Sequence, residues 1–345
     1  MICFQPVRFV TLSLLGLLLT VASPAQIARA SVKGDANART PLPLGKISNV
    51  RPAECSPQFA SGASCFSAVV SCPSTPDLGV TLGISSGPAG TIAFMGGSGG
   101  TAPGGTTEIG EYQNHGFGIA QFAFASDWED GANDIRTAAC RPATVLDYFY
   151  NREGGGIYCA QGISAGSSGL GYSLAWYGLD AELDNVELSV GPVFSDITQG
   201  CQVPKAPRVT IIPTNGGRFN DNPQYVGGEI NSLTRWTGQQ CLPPEPTSQN
   251  ANASWTVQSV VQDTATLTYP YTSVSGWVCD NGLNPSAAQA YLFFSQVTSS
   301  WDLTRLSKCT GAEGIETGVT PQGVLAETAI ANDMLTQCVN RHPRK

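Results

Sequence analysis

Histidine is nearly missing from this chain: His115 and His342 are the only two in 345 residues. A zinc centre has few imidazoles to draw on, and no C-x-x-C spacing offers thiolates instead, so no metal is expected. Charge is sparse too. Charged residues make up 13% and the formal net charge is −8. That leaves no basic footprint and excludes nucleic acid as a partner. Long apolar runs are missing beyond the first thirty residues, so no membrane span is expected in the mature chain. The one such run, Phe9 to Ala22, follows Arg8 and precedes the small residues Ala28-Arg29-Ala30. It reads as a signal peptide over residues 1–30, with an uncleaved anchor as the alternative.

The cysteines agree with export. Of the 11, Cys3 leaves with the signal, and an even, widely spaced set remains. Such a set in a secreted or periplasmic protein reads as disulfides. The pairs expected are Cys65–Cys72, Cys140–Cys159, Cys201–Cys241 and Cys309–Cys338. Glycine (39) and proline (23) are abundant, but apolar runs recur, and a hydrophobic content of 41% suffices for one large core.

Residues 31–64 read as a polar, exposed leader and residues 65–345 as one domain. The stretch from Cys65 to Ile84 predicts an antiparallel hairpin. Gly90–Met95 and Gly116–Phe124 predict buried strands. A helix is expected from about Asn133 to Tyr150, split or kinked by Pro142. Strands are also expected over Val186–Val190, Thr272–Val278 and Leu303–Leu306, and helices over Pro285–Val297 and Gly323–Val339. Strands alternating with helices predict an α/β fold with a largely parallel sheet covered on both faces. Residues 201–257, rich in Asn, Gly, Pro and Gln, break that rhythm and read as a lid insertion or a long surface loop.

The most informative stretch is Ile157 to Gly169. It reads as a buried strand, the turn Gly162-Ile163-Ser164-Ala165-Gly166, and an amphipathic helix running on to Tyr177. In G-x-S-x-G the strand doubles back into the helix with little room, so glycines are needed where backbones pass closely. The serine at the tip sits in a strained conformation before a helix N-terminus, which favours negative charge. Ser164 is thus the candidate nucleophile. A structural Gly/Ser turn is the plainer alternative. Acyl transfer also needs oxyanion donors, a base and a group that orients the base. The amide after the serine, that of Ala165, is one donor. The glycine-rich run Gly96–Gly100 supplies the other, from Gly97 or Ser98. That run lacks the lysine of a phosphate loop and the spacing of a dinucleotide fingerprint, so no cofactor is expected.

On the strand–GGSGG loop, the strand–GISAGS–helix turn and the order of the later elements, the chain resembles the α/β-hydrolase superfamily over roughly residues 65–340. The runs Cys140–Thr144 and Cys159–Gly178 look like an exported bacterial branch with only a generic hydrolase label. The resemblance implies an α/β-hydrolase fold: a mostly parallel central sheet flanked by helices, with a lid. It implies an acid in the loop after the strand that ends at Cys279, which makes Asp280 the candidate, with Asp196 second. The plainer alternative is that Asp280 simply caps the helix expected near Pro285.

The family's histidine belongs in the loop Lys308–Gly318, and none is there. His115 precedes a strand and falls at the wrong edge of a parallel sheet. His342 lies past the last helix, about 30 Å from its start. Glu313 is the group left in the expected loop. It is either a weak substitute base or a structural carboxylate, since an unperturbed glutamate is about two units less basic than imidazole.

The function implied is a secreted serine hydrolase acting on carboxylic esters or similar acyl substrates, weakened by the missing histidine. Two alternatives stay open. One is a non-catalytic relative that binds a small ligand or an extracellular partner. The other is a surface protein that works through residues 201–257. Oligomeric state is left open.

Overall fold

The computed structural model describes residues 40–132, 135–153, 156–189, 193, 272–279, 301–306 and 321–339. Three strands come first: β1 (Lys46–Ala53), β2 (Ser64–Ser71) and β3 (Leu78–Ser85). Then β4 (Thr91–Met95), helix α1 (Thr106–Asn114) and β5 (Gly118–Phe124) form a strand–helix–strand unit. Helices α2 (Ile135–Ala138) and α3 (Cys140–Arg152) lead to β6 (Tyr158–Ile163). Helix α4 (Ala165–Tyr177) leads to β7 (Asn185–Ser189). Strands β8 (Ser273–Cys279) and β9 (Trp301–Leu306) and helix α5 (Pro321–Val339) complete the described elements.

The nine strands form one sheet in the order β1-β2-β3-β5-β4-β6-β7-β8-β9. The first three pair antiparallel, and β3 pairs antiparallel with β5. From β5 onward every pairing is parallel. Connections between parallel strands are right-handed, so the direction of travel decides which face a helix covers. The chain steps from β4 to β5 one way, then crosses back over β4 to β6 and continues to β7. Helix α1 therefore covers one face, and α3 and α4 the other. The reversal leaves a crevice beyond the carboxyl ends of β4 and β6, where ligands bind in open sheets of this kind.

Alternation along the strands builds the two core layers. Ala93, Met95, Ala120, Phe122, Val186 and Leu188 pack with Leu146 and Phe149 of α3 and Leu170 and Leu174 of α4. Ile92, Phe94 and Ile119 pack with Ile109 and Tyr112 of α1 and Ile330 and Met334 of α5. Each fully buried aliphatic or aromatic side chain contributes about 1.5–3 kcal/mol.

Three expectations change. The leader is not all outside the fold: its residues 46–53 form β1, the edge strand, because the backbone of β2 offers a free ladder even to a nearly fully exposed segment. The helical break falls at Ala139, and Pro142 sits in the first turn of α3, where a missing N–H costs little. The disulfides observed are Cys55–Cys65, Cys72–Cys140 and Cys159–Cys338. Cys65 stands in β2 and Cys72 just past its end, seven residues on and roughly 20 Å away, too far for a direct bond. Cys140 and Cys159 belong to the core layers on opposite sides of the sheet. Cys338 is already taken by Cys159, which replaces the pair with Cys309. Cys201–Cys241 lies outside the described residues, as do the signal segment, residues 201–257 and the helix expected from Pro285. No described helix is long and apolar enough to cross a membrane.

Candidate functional site

Ser164 stands between the last residue of β6 and the first of α4, with φ 57° and ψ −123°. L-residues avoid this region at a cost of about 1–3 kcal/mol. The conformation is held from several sides. Ser164 N–H donates to Ser189 O at the end of β7 (3.1 Å), and Ser167 Oγ donates to Gly162 O (2.6 Å) and Ser189 O (3.1 Å). A Cβ on Gly162 would lie 2.7 Å from the backbone of Gly166, and one on Gly166 would lie 2.6 Å from Gly96 O. Both glycines of the motif are therefore required by close approach. Ser164 itself is 3% exposed.

The glycine loop follows β4 directly. A short 3-10 turn spans Ser98–Gly100, and Gly100 N–H donates to Gly97 O. Because Gly166 packs on Gly96, the neighbours Ala165 and Gly97 are brought to the same crevice. The loop is braced from outside. Trp128 N–H donates to Gly99 O (2.9 Å), and Trp128 O accepts from the guanidinium of Arg141 (2.8 Å). Arg141 is 1% exposed and also donates to Asp130 O and Pro76 O. Burial lowers its pKa, and Asp130 and Asp77 oppose that.

His115 caps α1 as an exposed residue, with its ring Nδ1 against Glu111 O (2.8 Å). It precedes β5, whereas Ser164 follows β6. Since these strands run parallel, the two lie at opposite ends of the sheet, roughly 20 Å apart. Strand β8 runs parallel to β7 and ends at Cys279, at the same end of the sheet as Ser164. Asp280 itself, Asp196, Glu313 and His342 lie outside the described residues.

The structure adds a carboxylate pair that sequence reading missed. A cavity of about 160 Å³ opens beneath the glycine loop. Gly96, Gly97, Phe94 and Ile163 line it, with Glu108 of α1 and Glu327 of α5. Burial, then the charge of Glu327, pushes the Glu108 carboxyl up to about 8; its own backbone amide and Gln161 act in the opposite sense. Glu108 belongs to a polar seam on the α1/α5 face. Tyr112 O–H donates to Gln161 Oε1, and Gln161 and Glu187 are register neighbours on β6 and β7. The Glu187 carboxyl lies well above the ordinary range through burial, then through Asp333 and Glu108. The Tyr112 phenol is raised by burial, Glu187, Glu108 and Asp333. A signal was present in part: Gln121 and Gln161 are buried polar residues in the otherwise apolar strands β5 and β6.

No protein-family model matches the sequence, and no curated protein does. Solved structures do match in shape. An acetyl xylan esterase from Paenibacillus sp. R4 superposes with a TM-score of 0.53 at 12% identity, over 85% of this chain and 90% of that one. Acetyl Xylan Esterase 1 from Thermoanaerobacterium sp. JW/SL YS485 gives 0.52 at 13% identity, over 84% and 88%. This chain has the α/β-hydrolase fold. Identities this low establish the fold alone. Within an α/β-hydrolase fold, the strained serine after β6 and the glycine loop after β4 share the ligand-binding edge of the sheet.

Proposed function

We propose that the protein is an exported serine hydrolase of the α/β-hydrolase type, acting on carboxylic esters or similar acyl compounds. One observation carries this reading: Ser164 is held at φ 57°, ψ −123° between β6 and α4, with the glycine loop packed against the turn. A strained non-glycine residue at the topological switch point is hard to account for by stability. In the proposed reaction, Ser164 Oγ attacks the substrate carbonyl carbon and its proton passes to a base. The amides of Ala165 and of Gly97 or Ser98 stabilise the oxyanion. Asp280 is the proposed acid and Glu313 the proposed weak base. Two fold neighbours act on acetyl esters by name, which fits a short acyl group. The three disulfides fit export.

A second reading, a non-catalytic ligand-binding protein, is favoured by the placement of His115, the one described histidine, at the far end of the sheet. A single experiment separates the two. The mature protein is treated with a fluorophosphonate probe and assayed on p-nitrophenyl esters from acetate to octanoate, between pH 5 and 9. Labelling at Ser164 and turnover that vanish in Ser164→Ala are expected. Intact, folded protein that is neither labelled nor active at any pH would leave the binding reading in place.

A further inference from the structure

The cavity under the glycine loop is lined in a way that an apolar acyl pocket is not. Glu108 is 0% exposed, and neither of its carboxyl oxygens completes a hydrogen bond, although Gln161 and its own backbone amide lie near enough to favour the charged form. Glu327, 6% exposed, faces the same space from α5. Buried polar groups are nearly always paired, so a fully buried carboxyl with unfilled acceptor sites beside a cavity asks for a donor. Phe94 and Ile163, the residue before Ser164, provide apolar wall, and Gly96, which packs against Gly166 of the serine turn, lines the cavity with Gly97.

The chemistry of the lining selects the ligand. Two carboxyl groups repel anions. A divalent metal needs more converging ligands, and among the described residues no group of three His, Cys, Asp or Glu side chains could hold one. A primary ammonium needs only acceptors for its three N–H bonds and a counter-charge, which a carboxylate pair supplies. The volume, about 160 Å³, is close to that of a cavity that admits benzene, so a ligand of roughly six non-hydrogen atoms fits.

We propose that this cavity binds a primary ammonium group, and that the acyl chemistry at Ser164 is thereby directed to short acyl groups carrying a protonated amine. The second half rests on the hydrolase reading above; the first does not. The free site holds a proton on Glu108, beside Glu327, with Gln161, Tyr112, Glu187 and Asp333 as the other polar and charged neighbours in the seam. An arriving ammonium replaces that proton as the counter-charge. Binding therefore releases a proton and tightens as pH rises from 6 to 8.

Three amides of equal size test this on full-length Ser164→Ala protein by calorimetry: β-alaninamide, 3-hydroxypropanamide and butyramide. β-Alaninamide is expected to bind at least tenfold more tightly than the other two, with proton release, and the preference is expected to collapse in Glu108→Gln and Glu327→Gln. Equal binding of all three, or binding of none, overturns the proposal. So does a preference untouched by both substitutions in folded protein. If the glutamine variants fail to fold, the selectivity and the proton release of the parent protein decide alone. Aryl β-alaninate and aryl butyrate are then compared on the wild-type chain. Selective β-alaninamide binding with neither ester cleaved would keep the cavity and discard the hydrolase. Cleavage of both esters at equal rates would keep the hydrolase and discard the directing role.

Discussion

A methyl group on the α-carbon of Gly166 would stand 2.6 Å from the carbonyl oxygen of Gly96. The serine turn and the glycine loop are thus in backbone contact, and any widening of one displaces the other. Gly166→Ala is expected to cost about 2–4 kcal/mol of stability, because the obstacle is backbone and cannot rotate aside. It should also abolish labelling of Ser164. Gly110→Ala is the control. It lies in α1, and an added Cβ meets nothing within 4 Å, so it should gain up to about 1 kcal/mol. Urea unfolding of the two variants measures the contrast; equal midpoints would mean that the contact does not constrain the turn.

Ser164→Gly should be more stable than both the wild type and Ser164→Ala. The backbone at φ 57°, ψ −123° strains serine and alanine alike, and glycine is free of that penalty. The expected gain is about 1–3 kcal/mol, accompanied by complete loss of fluorophosphonate labelling. Thermal melts of the three proteins settle the point. A glycine variant no more stable than the alanine variant would remove the claim that strain is stored there.

How far these features could be read in advance depended on where the controlling force lay. The turn was legible because the steric demand is local: Gly162 and Gly166 sit four residues apart and serve the same bend. Strands such as Thr91–Met95 were legible because burial on both faces imposes a continuous apolar run. Strand β1 was not, since an edge strand with almost every residue exposed carries no apolar pattern. Cysteine pairing was not, because Cys159 meets Cys338 only after α5 has crossed back over the sheet. The Glu108–Glu327 pair likewise exists only where α1 and α5 pack. Gln161 did leave a trace, as an inward polar residue in the apolar strand β6, but the trace alone does not say which helix would meet it.

The buried carboxyls predict an unusual pH dependence. Glu108 titrates near 8 in the folded chain against an ordinary value of 4.5. Between those values the folded state keeps a proton that the unfolded state has lost, so raising the pH favours unfolding. The stability is complete below about 4.5, declines through the window and levels off above 8; the loss from Glu108 is on the order of a few kcal/mol. Glu187, raised in the same direction, adds to it. Unfolding free energies at pH 5, 6.5 and 8 should fall steadily, and Glu108→Gln should flatten the trend. A wild-type profile that rises over this range would show that these carboxyls are ionised in the folded protein.

Arg141 carries the glycine loop from behind. Its guanidinium donates to three main-chain carbonyls, one of them on Trp128, whose N–H in turn holds Gly99 O. Arg141→Met keeps most of the volume and removes every donor. The carbonyls of Trp128, Asp130 and Pro76 lose their shared partner, at an expected cost of about 2–4 kcal/mol. Labelling of Ser164 should slow more in this variant than in an equally destabilised core variant such as Leu146→Ala, because the loop loses its brace. If the two lose labelling in equal measure, Arg141 serves the fold without serving the loop.

The disulfides separate two kinds of support. Cys55–Cys65 closes a loop with a sequence separation of 10, next to the edge strand, while Cys159–Cys338 closes one of 179 and ties α5 to the central strand β6. Closing a chain restricts the unfolded state more as the loop lengthens, by about 3 kcal/mol for the short loop and about 5 for the long one. The difference in function should exceed the difference in stability. Glu327 stands on α5, so an α5 that is no longer tethered lets the wall of the cavity move away from Glu108. The double variant Cys159→Ser/Cys338→Ser is therefore expected to lose β-alaninamide binding at temperatures where it is still folded. Cys55→Ser/Cys65→Ser should retain binding up to its own melting point. Calorimetry ten degrees below each midpoint makes the comparison at matched stability, and undiminished binding in the Cys159/Cys338 variant would mean that packing of α1 on α5 holds the carboxylate pair without the covalent tie.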